Sequence, residues 1–565
     1  MRLPKNTKDL TKEALEIVAD CTASQAQRAA AYRQYAQWCE TGRAAGGLAL
    51  GNLLEGHIDR LASHLFSPTE LRFAIDYENL YPKEWLEKGA VAARVVSREW
   101  ERKNIDVLQG HGVKESLKYG ACILKQLAGR DAEGNFQFRG ARLVQPWCFG
   151  VYDEGNNSID DQEAMVETVL LNKHEVWRRV RNLPDAEKLY KKILGNARKD
   201  EDLGMPSSFM HQVLSTQILD TSLQNATQPR PGGIVQLSND ANNPILGPQV
   251  APEMFPMHEI YVWDDSRDDY LTIQIIEPDI LVAPLMKHSN LFVREHHPYT
   301  LIQGNFVANY FWGRSEITDL MMLQSWLTEH LDDAKRLMGQ QIDKIMAFPG
   351  FDGITDEIYG QFRSQGYIGL PQGASVEDLT PKMPEQLLPI IGEIIQLMDR
   401  VSGFPPIMSG QGEPGVRAGV HADTLMKTGS PRLRDRSLLY ERGCNEAADI
   451  TLALLEAKEA KAYWTKAEDE NTEFLLSQLP EDRRISVDSH SSSPIYADDH
   501  ANLIAWGVKS GIVTGKSAIE QLPFAHKDIL IARLEEKEKH QAQMIEQHPE
   551  VLTGKSGKQQ LRAVE

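Results

Sequence analysis

The chain has 565 residues, of which 41% are hydrophobic and 25% charged, the length of three or four ordinary domains and the balance of a globular protein. Its net charge of −19 argues against a protein that grips nucleic acid over a broad basic face. The cysteines (Cys21, Cys39, Cys122, Cys148 and Cys444) form no C-x-x-C pair, which argues against a disulfide framework or a zinc site, and no apolar run is long enough to span a membrane.

The opening MRLPKNTKDLTKEALEIVAD lacks the apolar core of a signal peptide. Residues 22–66 read as two helices. The first carries Tyr32, Tyr35 and Trp38. The second carries Leu54, Ile58, Leu61 and Leu65 at helical spacing and ends at Ser67-Pro68. Both stripes read as core. Helix is expected to continue to about residue 130. A hairpin-like section follows around Gly140, in GNFQFRGARLVQPWCFGVYDE, where apolar and polar residues alternate. Residues 160–226 read as helix again. Over 227–254 Pro, Gly and Asn accumulate, the mark of a long surface loop.

HEIYVWDDSRDDYLTIQIIEPDILVA (258–283) reads as strands joined by a polar turn at Asp264–Asp269. No Gly and no closing Glu fit a calcium loop there, so the aspartates read as a solvated tip. GRSEITDLMMLQSWLTEHLDDAKRLMGQQ (313–341) is a strong helix pattern. Ser315 stands at the N-cap, Glu316 and Asp319 load the first turn, and Lys335 and Arg336 sit near the end, as the helix dipole favours. Ile317, Leu320, Gln324, Leu327, Leu331, Ala334 and Met338 recur at three and four residues, a seam suited to another long helix. A helix of about 26 residues is a rod of roughly 39 Å.

DKIMAFPG reads as a short strand and YIGLPQGASVEDLTP as loop. MPEQLLPIIGEIIQLMDRVSG (383–403) is helical through Leu387, Ile390, Ile391, Ile394, Ile395, Met398 and Val401. Ser430-Pro431 resembles an N-cap followed by proline at the first helical position and opens a helix over about 431–460. TEFLLSQLPEDRRISVDS holds one or two strands, and the chain from 498 is helical.

Between two of these helices lies SGFPPIMSGQGEPGVRAG (402–419), with five glycines and three prolines. Gly410 to Gly415 matches G-x-G-x-x-G. A helix and Pro405-Pro406 precede it instead of a strand, and Glu413 would oppose a pyrophosphate, so the segment is no nucleotide cradle. Gly515-Lys516-Ser517 and Gly554-Lys555-Ser556 lack the first glycine of a phosphate-binding loop. His296 and His297 are adjacent and in a strand face opposite sides, so they do not share a metal. No G-x-S-x-G or H-E-x-x-H occurs, and Asp332-Asp333 and Asp498-Asp499 are neighbours, not carboxylates opposed across a cleft. These absences count against an enzyme, and no cofactor is expected. Over 417–442, Arg417, Lys427, Arg432, Arg434, Arg436 and Arg442 outnumber Asp423, Asp435 and Glu441, a local excess of +3. The run is a functional cationic patch, a merely solvated helix face, or a face salt-bridged to acidic neighbours.

In this order the elements resemble the portal protein of tailed bacteriophages, the head-to-tail connector. YRQYAQWCETGR and NLLEGHIDRLASHLFSPTELRF resemble the opening of such chains. GRSEITDLMMLQSWLTEHLDDAKRLM resembles the stem helix that returns from the clip. The stretch from MDRVSGFPPIMSG to ADITLALLE resembles the tunnel helix, the tunnel loop and the following wing helix. The resemblance covers most of residues 25–460 and rests on element order with partial wording.

The resemblance implies an α+β, mainly helical portal fold. Its parts are an N-terminal wing over 1–204, a first stem helix and connection over 205–235, and a β-rich clip over 236–312. A second stem helix over 313–341, wing over 342–382, tunnel helix and loop over 383–425, wing over 426–492 and a helical crown with C-terminal tail over 493–565 complete it. The first stem helix would fall near 206–226. Such chains form a ring of twelve at one capsid vertex in the virion, assembled in the host cytoplasm. The ring passes double-stranded DNA without sequence preference during packaging and ejection. Its partners are the terminase large subunit, the major capsid protein and scaffold, and tail adaptors. Portals hydrolyse nothing themselves.

The implied channel residues are Gly403, Ser409, Gly410, Gln411, Gly412, Gly415, Arg417 and His421, with Arg417 and His421 nearest phosphate. Partner docking falls to Asp264, Asp265, Arg267, Asp268 and Asp269, and stem packing to Ile317, Leu320, Leu327, Leu331 and Met338. Two other readings stand beside this one. The chain is another structural virion part, such as a minor head protein or adaptor, or a soluble enzyme with 402–419 as an active-site lid. The enzyme would need a pocket of perturbed titratable groups near that loop.

Overall fold

The computed structural model describes residues 3–4, 6–43, 49–68, 71–130, 136–196, 255–284, 289–342, 346–347, 360, 375, 377–379, 382–402, 431–465, 471–487 and 504–521, with 530–531, 533–537 and 539–540 near the end. Helices α1 (Thr7–Thr22), α2 (Gln25–Thr41) and α3 (Leu54–Leu65) come first. Leu54, Ile58, Leu61 and Leu65 form the buried stripe of α3, as their spacing predicts. Strand β1 (Phe73–Tyr77), α4 (Lys83–Lys103) and α5 (Ile105–Tyr119) follow. Asn104 separates the last two helices with a left-handed φ of 54°, a conformation that asparagine tolerates better than most residues.

Two antiparallel sheets then form the β-rich body. One is three-stranded, with β2 (Ala121–Arg130) central between β3 (Phe136–Val144) and β9 (Tyr299–Gln303). The other runs β4 (Phe149–Val151), β5 (Ala164–Leu171), β6 (Phe255–Asp264), β7 (Asp269–Ile276), β8 (Ile280–Ala283). Segments 120–130 and 164–171 differ from the helix expected there. Both are inner strands buried on two faces, so their near-continuous apolar runs carry no alternation to separate strand from helix. Gly140 does not turn a hairpin either. It lies within β3 at φ 113°, close to where the β2–β3 register shifts between Leu127 and Ala128. Because β2 pairs with β9 and β5 with β6, strands from the expected wing and clip segments share both sheets.

One face of the five-stranded sheet is covered by α1, through Leu10, Ala14, Ile17 and Val18 against Ile260, Val262 and Ile273. On the other face, Met165, Tyr261 and Tyr270 pack with Ile123, Phe149 and Tyr299 at one end. At the opposite end Leu171, Phe255, Met257 and Ile276 pack under α6 (Lys173–Val180) and α7 (Ala186–Leu194). Between these two clusters, Lys125 bridges the buried carboxylates of Glu167 (2.7 Å) and Glu259 (2.8 Å). The sheets are thereby joined by charges that satisfy one another, as burial demands.

The remaining helices are α8 (Ile317–Ile342), α9 (Leu387–Val401), α10 (Pro431–Ala457) and α11 (Gly515–Gln521). Three two-stranded sheets complete the described elements: β1 with β14 (Arg483–Val487), β10 (Met346–Ala347) with β11 (Glu377–Asp378), and β12 (Lys461–Thr465) with β13 (Asn471–Leu475). The largest core draws on α3, α4, α5, α8, α9 and α10. Helices α8 and α10 start within two residues of the predicted positions, and no described helix is long and apolar enough to cross a membrane.

Candidate functional site

Helix α8 is fixed at its start by charge and hydrogen bonds. Ser315 Oγ accepts from the Ile317 amide (3.1 Å) and donates to the Lys118 carbonyl. Serine at this position satisfies an amide that the helix itself leaves open. Glu316 is fully buried and receives Arg436 at 2.6 Å, with Asn305 at 3.3 Å. Asp319 pairs with Arg314 and lies 3.6 Å from Arg432. Ile317, Leu320 and Leu327 are buried, and Leu331 packs against the same core. Met338 departs from the expected seam and is 50% exposed, since the core that holds the first half of α8 does not reach its last turns.

Helices α9 and α10 carry the two ends of the 403–430 connection, and these ends meet. Arg432 donates to the Val401 carbonyl at 2.7 Å. The last turn of α9 is also latched to α3. Arg60 donates to Asp399 at 2.6 Å and to His57 Nδ1 at 3.0 Å. Arginine has no acceptor, so Nδ1 carries no proton and Nε2–H donates to Ser402 Oγ at 2.6 Å. Ser402 in turn donates to the Met398 carbonyl at 3.0 Å. Burial and then Arg60 push the His57 pKa down to about 4, against the pull of Asp399. The imidazole is therefore neutral near pH 7 and built into a chain of hydrogen bonds.

The expected channel residues Gly403, Ser409, Gly410, Gln411, Gly412, Gly415, Arg417 and His421 lie outside the described residues, as does the first stem helix at 206–226. Of the cationic run, Arg432 and Arg436 are paired with Glu316 and Arg442 with Glu446, so the salt-bridged reading holds for these three. The Asp264–Asp269 turn closes the β6–β7 hairpin as predicted, but its charges divide. Asp264 is 2% exposed and accepts from the Ser266 amide, the Ser266 hydroxyl and Arg267. Asp269 accepts from Asn290 and the Glu295 amide. Only Asp265 and Asp268 present exposed carboxylates.

Two apolar surfaces stand open on the paired helices. On α8, Met322 is 79% and Trp326 56% exposed. On α9, Leu387, Ile394 and Met398 are buried, while Leu388, Ile390, Ile395 and Leu397 are exposed. Helix α9 is thus apolar beyond its buried stripe.

A cleft of about 490 Å³ opens beside α10, lined in part by Asp160, Asp161, Glu163, Glu295, Glu446 and Asp449. The Tyr299 amide donates to His297 Nδ1 at 3.3 Å, so Nε2–H donates to Asp160 at 2.9 Å and holds the Asp160 carboxyl below its usual range. Burial raises the pKa of Glu446 and of Asp449, with Asp160 adding to both. Among the described residues no group of three or more His, Cys, Asp or Glu is placed to hold a metal, and His296 and His297 lie in the loop before β9, not in a strand.

One charged surface escapes the sequence reading. Residues 173–196 hold seven Lys and Arg against three Asp and Glu, a larger excess than over 417–442. Charge counted over this window would have found it. No protein-family model matches the chain, and no curated protein matches it.

Proposed function

We propose that the chain is the subunit of a portal ring, the head-to-tail connector of a tailed bacteriophage. In this reading α8 is the returning stem helix and α9 the tunnel helix. The tunnel loop is 402–419, and α10 is the wing helix that follows. The observation that carries it is the Arg432–Val401 hydrogen bond, which brings the two ends of a glycine- and proline-rich connection together on one scaffold. A segment held at both roots can touch a moving polymer without loosening the body that bears it. The open apolar faces of α8 and α9 support the reading, because a ring subunit needs neighbours along its helices. The exposed Asp265 and Asp268 are offered to terminase or a tail adaptor.

The ring would sit at a capsid vertex, pass double-stranded DNA and leave ATP hydrolysis to terminase. A lid-bearing enzyme is less well supported. The cleft with shifted carboxylates lies at Glu446 and Asp449, some 15 residues or about 22 Å along α10 from the loop root. Negative-stain electron microscopy of the purified chain tests the proposal. Rings of about a dozen subunits with an open centre are expected. Compact monomers or dimers under all conditions would overturn it.

A further inference from the structure

The five-stranded sheet carries opposite charge at its two ends. At one end stand α6 and α7, where Val176, Val180 and Ile193 face the sheet and the cations face out. Arg178, Arg179, Arg181, Lys188, Lys191 and Lys192 are all exposed. Lys192 reaches Asp279 at 2.5 Å, Lys188 reaches Asp185 at 3.4 Å and Arg179 reaches Gln274 at 3.4 Å. Among the described residues the side chains of Arg178, Arg181 and Lys191 have no hydrogen-bond or ion-pair partner. Trp177 stands exposed among them, its ring edge-on to Tyr190 at 5.3 Å. The hairpin is therefore an exposed, basic surface with an aromatic centre.

The other end is concave and acidic. The residues that enter β5 (Asp160, Asp161 and Glu163) and the loop at Glu295 line the cleft beside α10. Asp161 and Glu163 are exposed and have no side-chain partner among the described residues. No Lys or Arg lines this cleft among the described residues. The register of β5 on β6 puts Ala164 opposite Val262 at the acidic end and Leu171 opposite Phe255 at the basic end. Seven residues of strand separate the two ends by roughly 23 Å.

We infer that the α6–α7 basic hairpin of one subunit docks into the Asp160–Glu163 acidic cleft of a second copy. The inference rests on the ring reading and names one contact that would build the ring. The two surfaces differ and sit at opposite ends of one rigid sheet, so the contact is head-to-tail, the kind that closes rings or runs on as filaments. Opposite charges across it steer subunits into one register and disfavour head-to-head pairing. Double-stranded DNA is the competing occupant of a basic surface. A second copy is favoured because the complementary cleft is on the same chain and presents Asp161 and Glu163 with no cationic partner among the described residues.

The test uses the full chain in two charge-reversed forms. One carries Arg178→Glu, Arg181→Glu and Lys191→Glu; the other carries Asp161→Lys and Glu163→Lys. All five positions are on the surface, and unchanged thermal melting confirms that each form folds. Wild-type chain is expected to close into rings at low salt, and each reversed form alone is expected to lose them in sedimentation velocity. An equal mixture of the two is expected to restore rings, since every contact then joins unlike charges again. Wild-type rings with undiminished rings from either reversed form would overturn this inference and leave the portal reading standing. So would rings that persist in the basic-side variant while its binding to a duplex DNA is lost, which would assign the hairpin to DNA. A wild-type chain that never forms rings would remove the portal reading itself.

Discussion

Single side chains decide how firmly the loop roots are held, and their partners are far away in sequence. His57 lies on a helix that the spacing of Leu54, Ile58, Leu61 and Leu65 reveals, yet it contacts Ser402 and Arg60 and lies 3.7 Å from Asp399. No local pattern announces a contact across more than three hundred residues. Its pKa of about 4 in the fold, against 6.5 when free, means that the unfolded chain takes up a proton first as pH falls. The stability it contributes is present above pH 6.5 and is lost as pH falls towards 4, up to about 3 kcal/mol. Denaturant titrations at pH 7 and pH 4.5 should show a smaller drop for His57→Gln than for the parent chain. Glu316 was legible as an acid in the first turn of a helix, but not as the partner of Arg436. Glu316→Ala leaves that guanidinium buried and uncompensated and should cost about 3–5 kcal/mol in urea unfolding. Glu316→Leu with Arg436→Met should cost far less, because neither charge then stays behind.

At the level of whole elements, the sequence separates cleanly into what periodicity can and cannot resolve. The helices α3, α8, α9 and α10 each have one wet and one dry side, so their spacing betrays them, and Ser315 and Pro431 mark two of the starts. Strands β2 and β5 are covered on both sides and read like helix. The hairpin tip was located correctly, while the burial of Asp264 depends on a turn geometry that composition does not express. The 403–430 connection is the element on which function is expected to turn. Because Arg432 and the His57–Ser402 latch hold its roots independently of its interior, deleting 409–418 should leave melting temperature and ring closure unchanged. DNA packaging or retention should fall, measured by nuclease-protected DNA in assembled heads. Full packaging by the deletion would sink the channel role of this segment.

For the molecule as a whole, the net charge of −19 hides its arrangement. The average is acidic, yet α6 and α7 form a basic end and the β5 entry an acidic one on the same sheet. Fold class was legible from element order; which sheets the strands join was not, because β2–β9 and β5–β6 pairings bridge large sequence separations. The Arg432–Val401 bond has one more consequence, for inheritance. Closing a connection costs conformational entropy that grows only with the logarithm of its length, about 0.6 kcal/mol for each doubling. With the ends already joined by the scaffold, residues can be gained or lost between them at almost no thermodynamic cost to the body. Related chains should therefore diverge fastest there in length, while the helices around it stay the same.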